Sequence, residues 1–352
     1  MKHKLNERIK NFNITILMSL FLLFSCGSGQ QAVDAANGGA AATGGSSLSE
    51  VISVSRQLFL DAFVSFGNLL KGVLGLTVDT TKKEVGEQLG KVGDAVKVVK
   101  DKLEGIKENE QFNLIKDKAE TTITNAIDIL KKVVEGTNKV KDATDGANGK
   151  IGNASGTEDA VQADTASVKG LVEGINMIYE AAKAVGVDLK GNANKQIADS
   201  KAIAKLFNAT ANADATGLKA ANVALNAANG ADILAAIEAA KNGINNPAGQ
   251  ISAAKNAYDI AVATKDNTDA SADVREKGPV IAAGLALRAM AKDGKLATHA
   301  NVPAEGINAV LIGAASKTVN EIVSTIRKTV DKCLKDIDDC IKEDSSSEVK
   351  SK

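Results

Sequence analysis

Three cysteines and two histidines are the only residues in this 352-residue chain that could serve as thiolate nucleophiles, imidazole bases, or thiolate and imidazole metal ligands. His3 falls in a basic stretch ahead of a short apolar run, the pattern of a cleaved leader, so the mature chain is expected to keep one imidazole, His299, in the polar stretch 292–305. One histidine excludes a two-histidine metal site within a chain. A general base also needs a placed nucleophile, and the residues around His299 offer none, so it reads as a solvated loop histidine. Gly146 and Gly149-Lys150-Ile151 have neither the spacing nor the hydroxyl of a phosphate loop. The pair Asp338-Asp339 belongs to a charged helix surface. The expectation is a protein with no catalytic residue, no cofactor and no metal, and therefore no enzyme.

Cys333 and Cys340 are seven residues apart. In one continuous helix that is ~10.5 Å of rise, more than the Cα separation a disulfide spans. Three readings stay open: the helix ends between them and they pair, they cross-link two chains into a homodimer, or they are two small apolar residues in a helix seam.

Cys26 has a different setting. Lys2, Lys4, Arg8 and Lys10 precede an apolar run over residues 14–24, which ends in Leu23-Phe24-Ser25-Cys26 and a Gly/Ser/Gln stretch. A basic start and a short apolar run make an export signal. The run is too short to span a bilayer, which takes ~20 apolar residues. The residues before Cys26 resemble a bacterial lipoprotein signal, with Phe24 bulkier than the usual residue two before the cysteine. In such a signal the thiol takes a diacylglycerol as a thioether, and cleavage frees an amine for a further acyl chain. One acyl chain holds a protein only marginally and several hold it durably, so the mature chain is expected to be anchored to lipid through Cys26 without spanning the membrane.

Residues 1–25 are then the signal peptide and residues 26–47, rich in Gly, Ala and Ser, a flexible lipidated tether. Loss of four basic residues and one acidic residue takes 43 of each sign to 39 and 42, a net charge of about −3. Nucleic acid, which calls for concentrated basic surface, is not an expected partner.

The residues that remain must form the elements. Three prolines, no Trp and two Tyr, amid abundant Ala and Lys, point to helices, and strand-like alternation is absent. Ser47 and Glu50 have the S-x-x-E spacing of a capping box, followed by Val51, Val54, Leu58, Ala62, Phe66, Leu69 and Val73 at helical steps. Phe59, Phe63 and Phe66 make this segment the leading core candidate. A second helix is expected over 112–134, through Phe112, Ile115, Ala119, Ile123, Ala126, Leu130 and Val133. A weaker one over 85–106 carries four glycines at about 1 kcal/mol each. The longest periodic stretch is 307–341, with Val319, Ile322, Ile326, Val330, Cys333, Ile337 and Cys340 on one face. Residues 343–352 have almost no apolar content and are expected to be disordered. Residues 136–170 hold little to bury, and short helices over 231–241, 251–265 and 280–292 punctuate a polar centre. The picture is an all-α domain over 48–342, a helical scaffold from the two ends carrying polar loops and small helices from the middle.

Residues 53–91 (SVSRQLFLDAFVSFGNLLKGVLGLTVDTTKKEVGEQLGK) and 281–297 (IAAGLALRAMAKDGKLA) are similar to the variable large protein (Vlp) family of relapsing-fever spirochaetes, as is the terminal AASKTVNEIVSTIRKTVDKCLKDI. The relaxed lipoprotein signal is of the spirochaete kind. The resemblance implies an outer-surface lipoprotein, anchored in the cell outer membrane and facing the exterior, expressed one variant at a time so that its replacement evades host antibodies. It also implies kinship with the variable surface antigen of Lyme spirochaetes, an elongated helical protein with variable loops at its membrane-distal end. Here those loops would lie mainly within 136–305. Such a chain has outer-membrane lipid and host antibodies as its partners. The rival reading is an adhesin for a host glycosaminoglycan or serum protein. Lys131-Lys132 and Lys139 to Lys141 would be its basic clusters, although Glu135 and Asp142 interleave with them.

Overall fold

Helix α1, Lys82–Glu108, starts at a T-x-x-E sequence. The Thr81 hydroxyl accepts from Glu84 N at 3.2 Å, and the Glu84 carboxylate accepts from Thr81 N at 2.7 Å, so two donors at the helix start are satisfied reciprocally. Val85, Leu89, Val92, Val96, Val99, Leu103 and Ile106 follow as one buried stripe. This is a computed structural model that describes residues 75–108, 116–265 and 268–347. The signal, Cys26, the tether, the Ser47/Glu50 box, the core candidate over 51–73, Phe112 and Ile115 all lie outside the described residues.

Helix α2, Lys116–Ala143, lies antiparallel to α1. Gly86, Gly90 and Gly93 of α1 face Thr144, Lys141 and Thr137 in turn, so one number rises as the other falls. A Cβ on Gly93 would stand 2.0 Å from Thr137 Oγ1, and one on Gly86 would stand 1.9 Å from Thr144 Oγ1. Three of the four glycines that lower the helix propensity of α1 are therefore its contact points with α2, Gly105 being the exception. Thr137 and Thr144 are buried there, each returning its hydroxyl to a carbonyl three residues back.

Helix α3, Thr165–Ala184, begins at Asp164, whose carboxylate accepts from Ser167 N at 2.7 Å. It crosses α2 where Gly136 meets Gly174, and a Cβ on either would come within 2.7 Å of the other's carbonyl oxygen. The expectation of a polar loop over 136–170 is corrected at this point. Residues 136–143 continue α2, because a glycine that breaks the apolar pattern is what the crossing needs. Val140, Ile151, Ala160, Ala163 and Val168 from the same stretch are all buried.

The centre of the chain supplies core rather than loops alone. Helices α4 (Ala215–Ala227), α5 (Gly230–Ala240) and α6 (Ala257–Ala261) surround α7, Gly278–Met290, whose thirteen residues are all buried. A helix apolar on every side belongs inside a fold, and α7 packs against α3, α4, α5, α6 and α8. The expected division into scaffold ends and a loop-bearing middle is thus revised: the middle builds part of the scaffold. The expected helix over 251–265 is divided into a single 3-10 turn, Ile251–Ala253, and α6. The Asp259 carboxylate draws in Ala248 N, Lys255 N and Asn256 Nδ2, and Asn256 caps a new start.

Two three-residue strands, β1 (Val161–Ala163) and β2 (Asp293–Lys295), pair antiparallel with Val161 opposite Lys295. Asp293 has φ +63° and Gly294 φ +29°, a tight turn that brings the chain back from α7. Helix α8, Ala304–Ser347, has 44 residues and would be about 66 Å long. Val319, Ile322, Ile326, Val330, Cys333 and Ile337 are buried as the periodicity implies. The helix enters the terminal stretch expected to be disordered, since extending a formed helix by a residue costs little. The all-α class stands.

Candidate functional site

The sequence-derived site residues do not converge. Cys333 is buried on α8, where loss of water pushes its thiol up to about 12. Cys340 is half-buried seven positions along the same unbroken helix, so a bond between the two within one chain would require that helix to open. His299 sits in the turn before α8, bridged to Val302, and its Nδ1 accepts from Asn301 N at 3.4 Å. Asp338 and Asp339 lie on α8. Among the described residues no group of three or more His, Cys, Asp or Glu is arranged to hold a metal, and no helix is long and apolar enough to cross a membrane.

The Gly146 to Gly149 stretch is a clasp on the start of α1. Ala147 O accepts from Lys83 N at 3.0 Å and Gly149 O from Lys82 N at 2.9 Å, while Ile151 N donates to Thr80 O at 3.0 Å. These bonds satisfy first-turn donors that a helix cannot satisfy itself.

Beneath the clasp is a pair of buried cations that the sequence reading missed. Lys82 and Arg288 are each 1 % exposed. Lys82 Nζ donates to the carbonyl oxygens of Ala291 (2.8 Å), Asp293 (3.0 Å), Gly294 (3.1 Å) and Arg288 (3.3 Å). Arg288 donates from Nε to Lys295 O at 3.1 Å, from Nη1 to Ala261 O at 2.9 Å and Ala263 O at 3.0 Å, and from Nη2 to Val161 O at 2.5 Å. Its guanidinium lies 4.8 Å from the centre of the Phe207 ring. Several of these carbonyls end α6 and α7, where the helix dipole is negative. Burial lowers Arg288 to about 9, and burial together with the Arg288 charge lowers Lys82 to about 7. The pair joins α1, α6, α7, β1 and β2 at one node. A charge inside the otherwise apolar LALRAM was the available signal for Arg288, whereas Lys82 reads as an ordinary surface lysine.

Exposed charge is mixed in sign. A shallow groove between α2 and α3 is lined by Glu135, Lys139, Asp142, Lys169 and Glu173, and Lys139 pairs with Glu173 across it at 2.6 Å. Lys131 and Lys132 are exposed on α2, while the Lys141 stem lies over Gly90. Outside the helices, exposed residues gather chiefly in the connections around 144–160, 186–200, 241–250 and 268–277.

The Borrelia lipoprotein family profile matches residues 59–341. Variable large protein 17 of Borrelia hermsii is 36 % identical over 324 residues, covering 88 % of this chain and 85 % of that protein. Variable large protein 25 of the same organism is 32 % identical, covering 92 % and 95 %. Among solved structures, the Lyme disease variable surface antigen VlsE of Borrelia burgdorferi superposes with a TM-score of 0.71 at 29 % identity, covering 83 % of this chain and 98 % of that one.

Proposed function

The chain belongs to the Borrelia lipoprotein family, and on that premise we propose that it is a lipid-anchored surface antigen, one of a switched set of variants that evade host antibody. The observation that carries this reading is the likeness to the variable surface antigen VlsE over nearly the whole of that chain. In this reading Cys26 carries a diacylglycerol thioether and an N-acyl group that hold the protein in the outer membrane, facing outward, and host antibody is the partner that matters.

The fold supports such a role physically. Exposed connections separate helices whose inner faces are fully packed, and substitutions on exposed surface usually shift stability by only about 0.5 kcal/mol. Epitopes can therefore change while α7 and its neighbours stay as they are. The polyanion-binding version of an adhesin has less support, because Lys139 is already paired with Glu173 and acidic residues interleave with the other lysines.

The deciding experiment is intact mass spectrometry of the mature protein from native cells, with protease treatment of live cells alongside. An acylated N-terminus at Cys26 and a protease-accessible chain support the proposal. An unmodified Cys26, or a chain protected until the envelope is broken, would overturn it.

A further inference from the structure

We propose that Asn148 is a site of spontaneous deamidation, and that the reaction alters the clasp holding the start of α1. This goes beyond the antigen reading and does not depend on it.

Within the described residues, Asn-Gly occurs at 148–149, 229–230 and 242–243. Asn followed by Gly is the pairing most open to attack by the next backbone nitrogen, because glycine puts no side chain in the way. The three sites differ in what surrounds them. Asn229 caps α5, its Oδ1 accepting from Asp232 N at 2.8 Å, and Gly230 is pressed against α8, where a Cβ would come within 2.8 Å of Lys317 O. At the third site Gly243 N is already donating to Ala240 O at 2.9 Å. Asn148 and Gly149 are both exposed. Among the described residues the Asn148 carboxamide makes no hydrogen bond and Gly149 N donates none, while a Cβ on Gly149 would meet nothing within 4 Å. Among the three described sites, attacking nitrogen and carboxamide are both unengaged only at this one.

The step needs only water. Gly149 N, giving up its proton, attacks the side-chain Cγ of Asn148; the new C–N bond closes a five-membered succinimide as the carboxamide C–N bond breaks, and the amine leaves as ammonia. Water then opens the ring at either carbonyl. One opening gives aspartate, and the other gives isoaspartate, in which the main chain runs through the former side chain. Neither route oxidises or reduces anything.

The position gives the reaction a structural consequence. Asn148 separates Ala147 O and Gly149 O, the two acceptors that hold Lys83 N and Lys82 N. Isoaspartate inserts a methylene between those acceptors and so changes their spacing. It also adds a negative charge to an exposed loop that already holds Asp145. A single sequence thereby yields chemically distinct surfaces as the protein ages.

The test is to age the purified full-length protein in neutral buffer and map it with trypsin, which releases residues 142–150 as one peptide. Gain of the mass of a carboxyl in place of a carboxamide, with aspartate and isoaspartate forms separating, is expected for that peptide ahead of those containing Asn229 and Asn242. Gly149→Ala has room for its methyl group and should fold normally, with the reaction at Asn148 slowed several-fold. The proposal is overturned if the 142–150 peptide keeps its amide while the same peptide in urea-unfolded protein of equal age loses it. Equal rates at all three sites in the folded chain, or no slowing by Gly149→Ala, would overturn it as well.

Discussion

Lys82 and Arg288 are charges accepted into a helical interior because carbonyl dipoles, rather than carboxylates, surround them. Replacing Arg288 with Leu removes donors to four carbonyl oxygens that stay buried, and unmet buried acceptors are costly. Arg288→Leu is expected to lower unfolding free energy by about 3 kcal/mol in urea titrations, without loss of helical circular dichroism in the native baseline. Lys82 gives a pH signature. Burial first, and then the Arg288 charge, take its folded pKa to about 7 from an ordinary 10.5, with Asp293 favouring its charge and Lys295 opposing it. Between those values the unfolded chain binds the extra proton. The Lys82 contribution is thus fully present above 10.5, declines as pH falls, and is flat below about 7. Wild-type stability minus that of Lys82→Met should therefore rise with pH above neutrality, by about 1.4 kcal/mol per unit at most. A difference that stays constant from pH ~7 to ~9 would mean the carbonyl cage keeps Lys82 charged throughout.

At the scale of elements, glycine does opposite things in two places. Gly174 lies at the α2/α3 crossing, where a Cβ would stand 2.7 Å from Gly136 O, while Gly105 on the exposed face of α1 has nothing within 4 Å. Gly174→Ala should cost about 1–3 kcal/mol as the helices are forced apart, and Gly105→Ala should gain roughly 0.5–1 kcal/mol through helix propensity. Thermal unfolding of the two single variants measures both signs at once. The same contrast explains what the sequence concealed. The periodicity of α8 was plain because long apolar residues recur every three or four positions. Gly86, Gly90 and Gly93 of α1 and Gly136 of α2 looked like helix breakers because their value lies in the partner helix. For α3, Asp164 as cap and Val168, Leu171, Val172, Ile175 and Ile178 at helical spacing were visible signals, outweighed by the polar stretch before them.

At the scale of the molecule, α7 is the helix most completely enclosed by others, and its Val280, Ile281, Leu285, Leu287 and Met290 each contribute about 1.5–3 kcal/mol of burial. Native-state hydrogen exchange should be slowest in 278–290 and in the parts of α3 and α8 that pack on it, and fast in the exposed connections. An α7 that exchanges as quickly as 241–250 would contradict this account of the core. Antibodies raised to the folded protein should select escape substitutions in the exposed connections within 136–305. They should leave α7 untouched although it lies in the same interval, because a paratope cannot reach a helix without exposed side chains.

The sequence by itself determined the class of the fold, the long last helix and the family resemblance, since these depend on local periodicity and on contiguous motifs. It also set the expectation of an anchor at Cys26, read from residues that adjoin one another. Only the tertiary structure decided that the polar middle supplies an enclosed helix, that glycines mark helix crossings, and that Lys82 and Arg288 share a cage of carbonyls. Each of these depends on residues far apart in the chain, Lys82 and Arg288 being 206 positions apart. A single residue type carries no sign of which distant backbone it will meet.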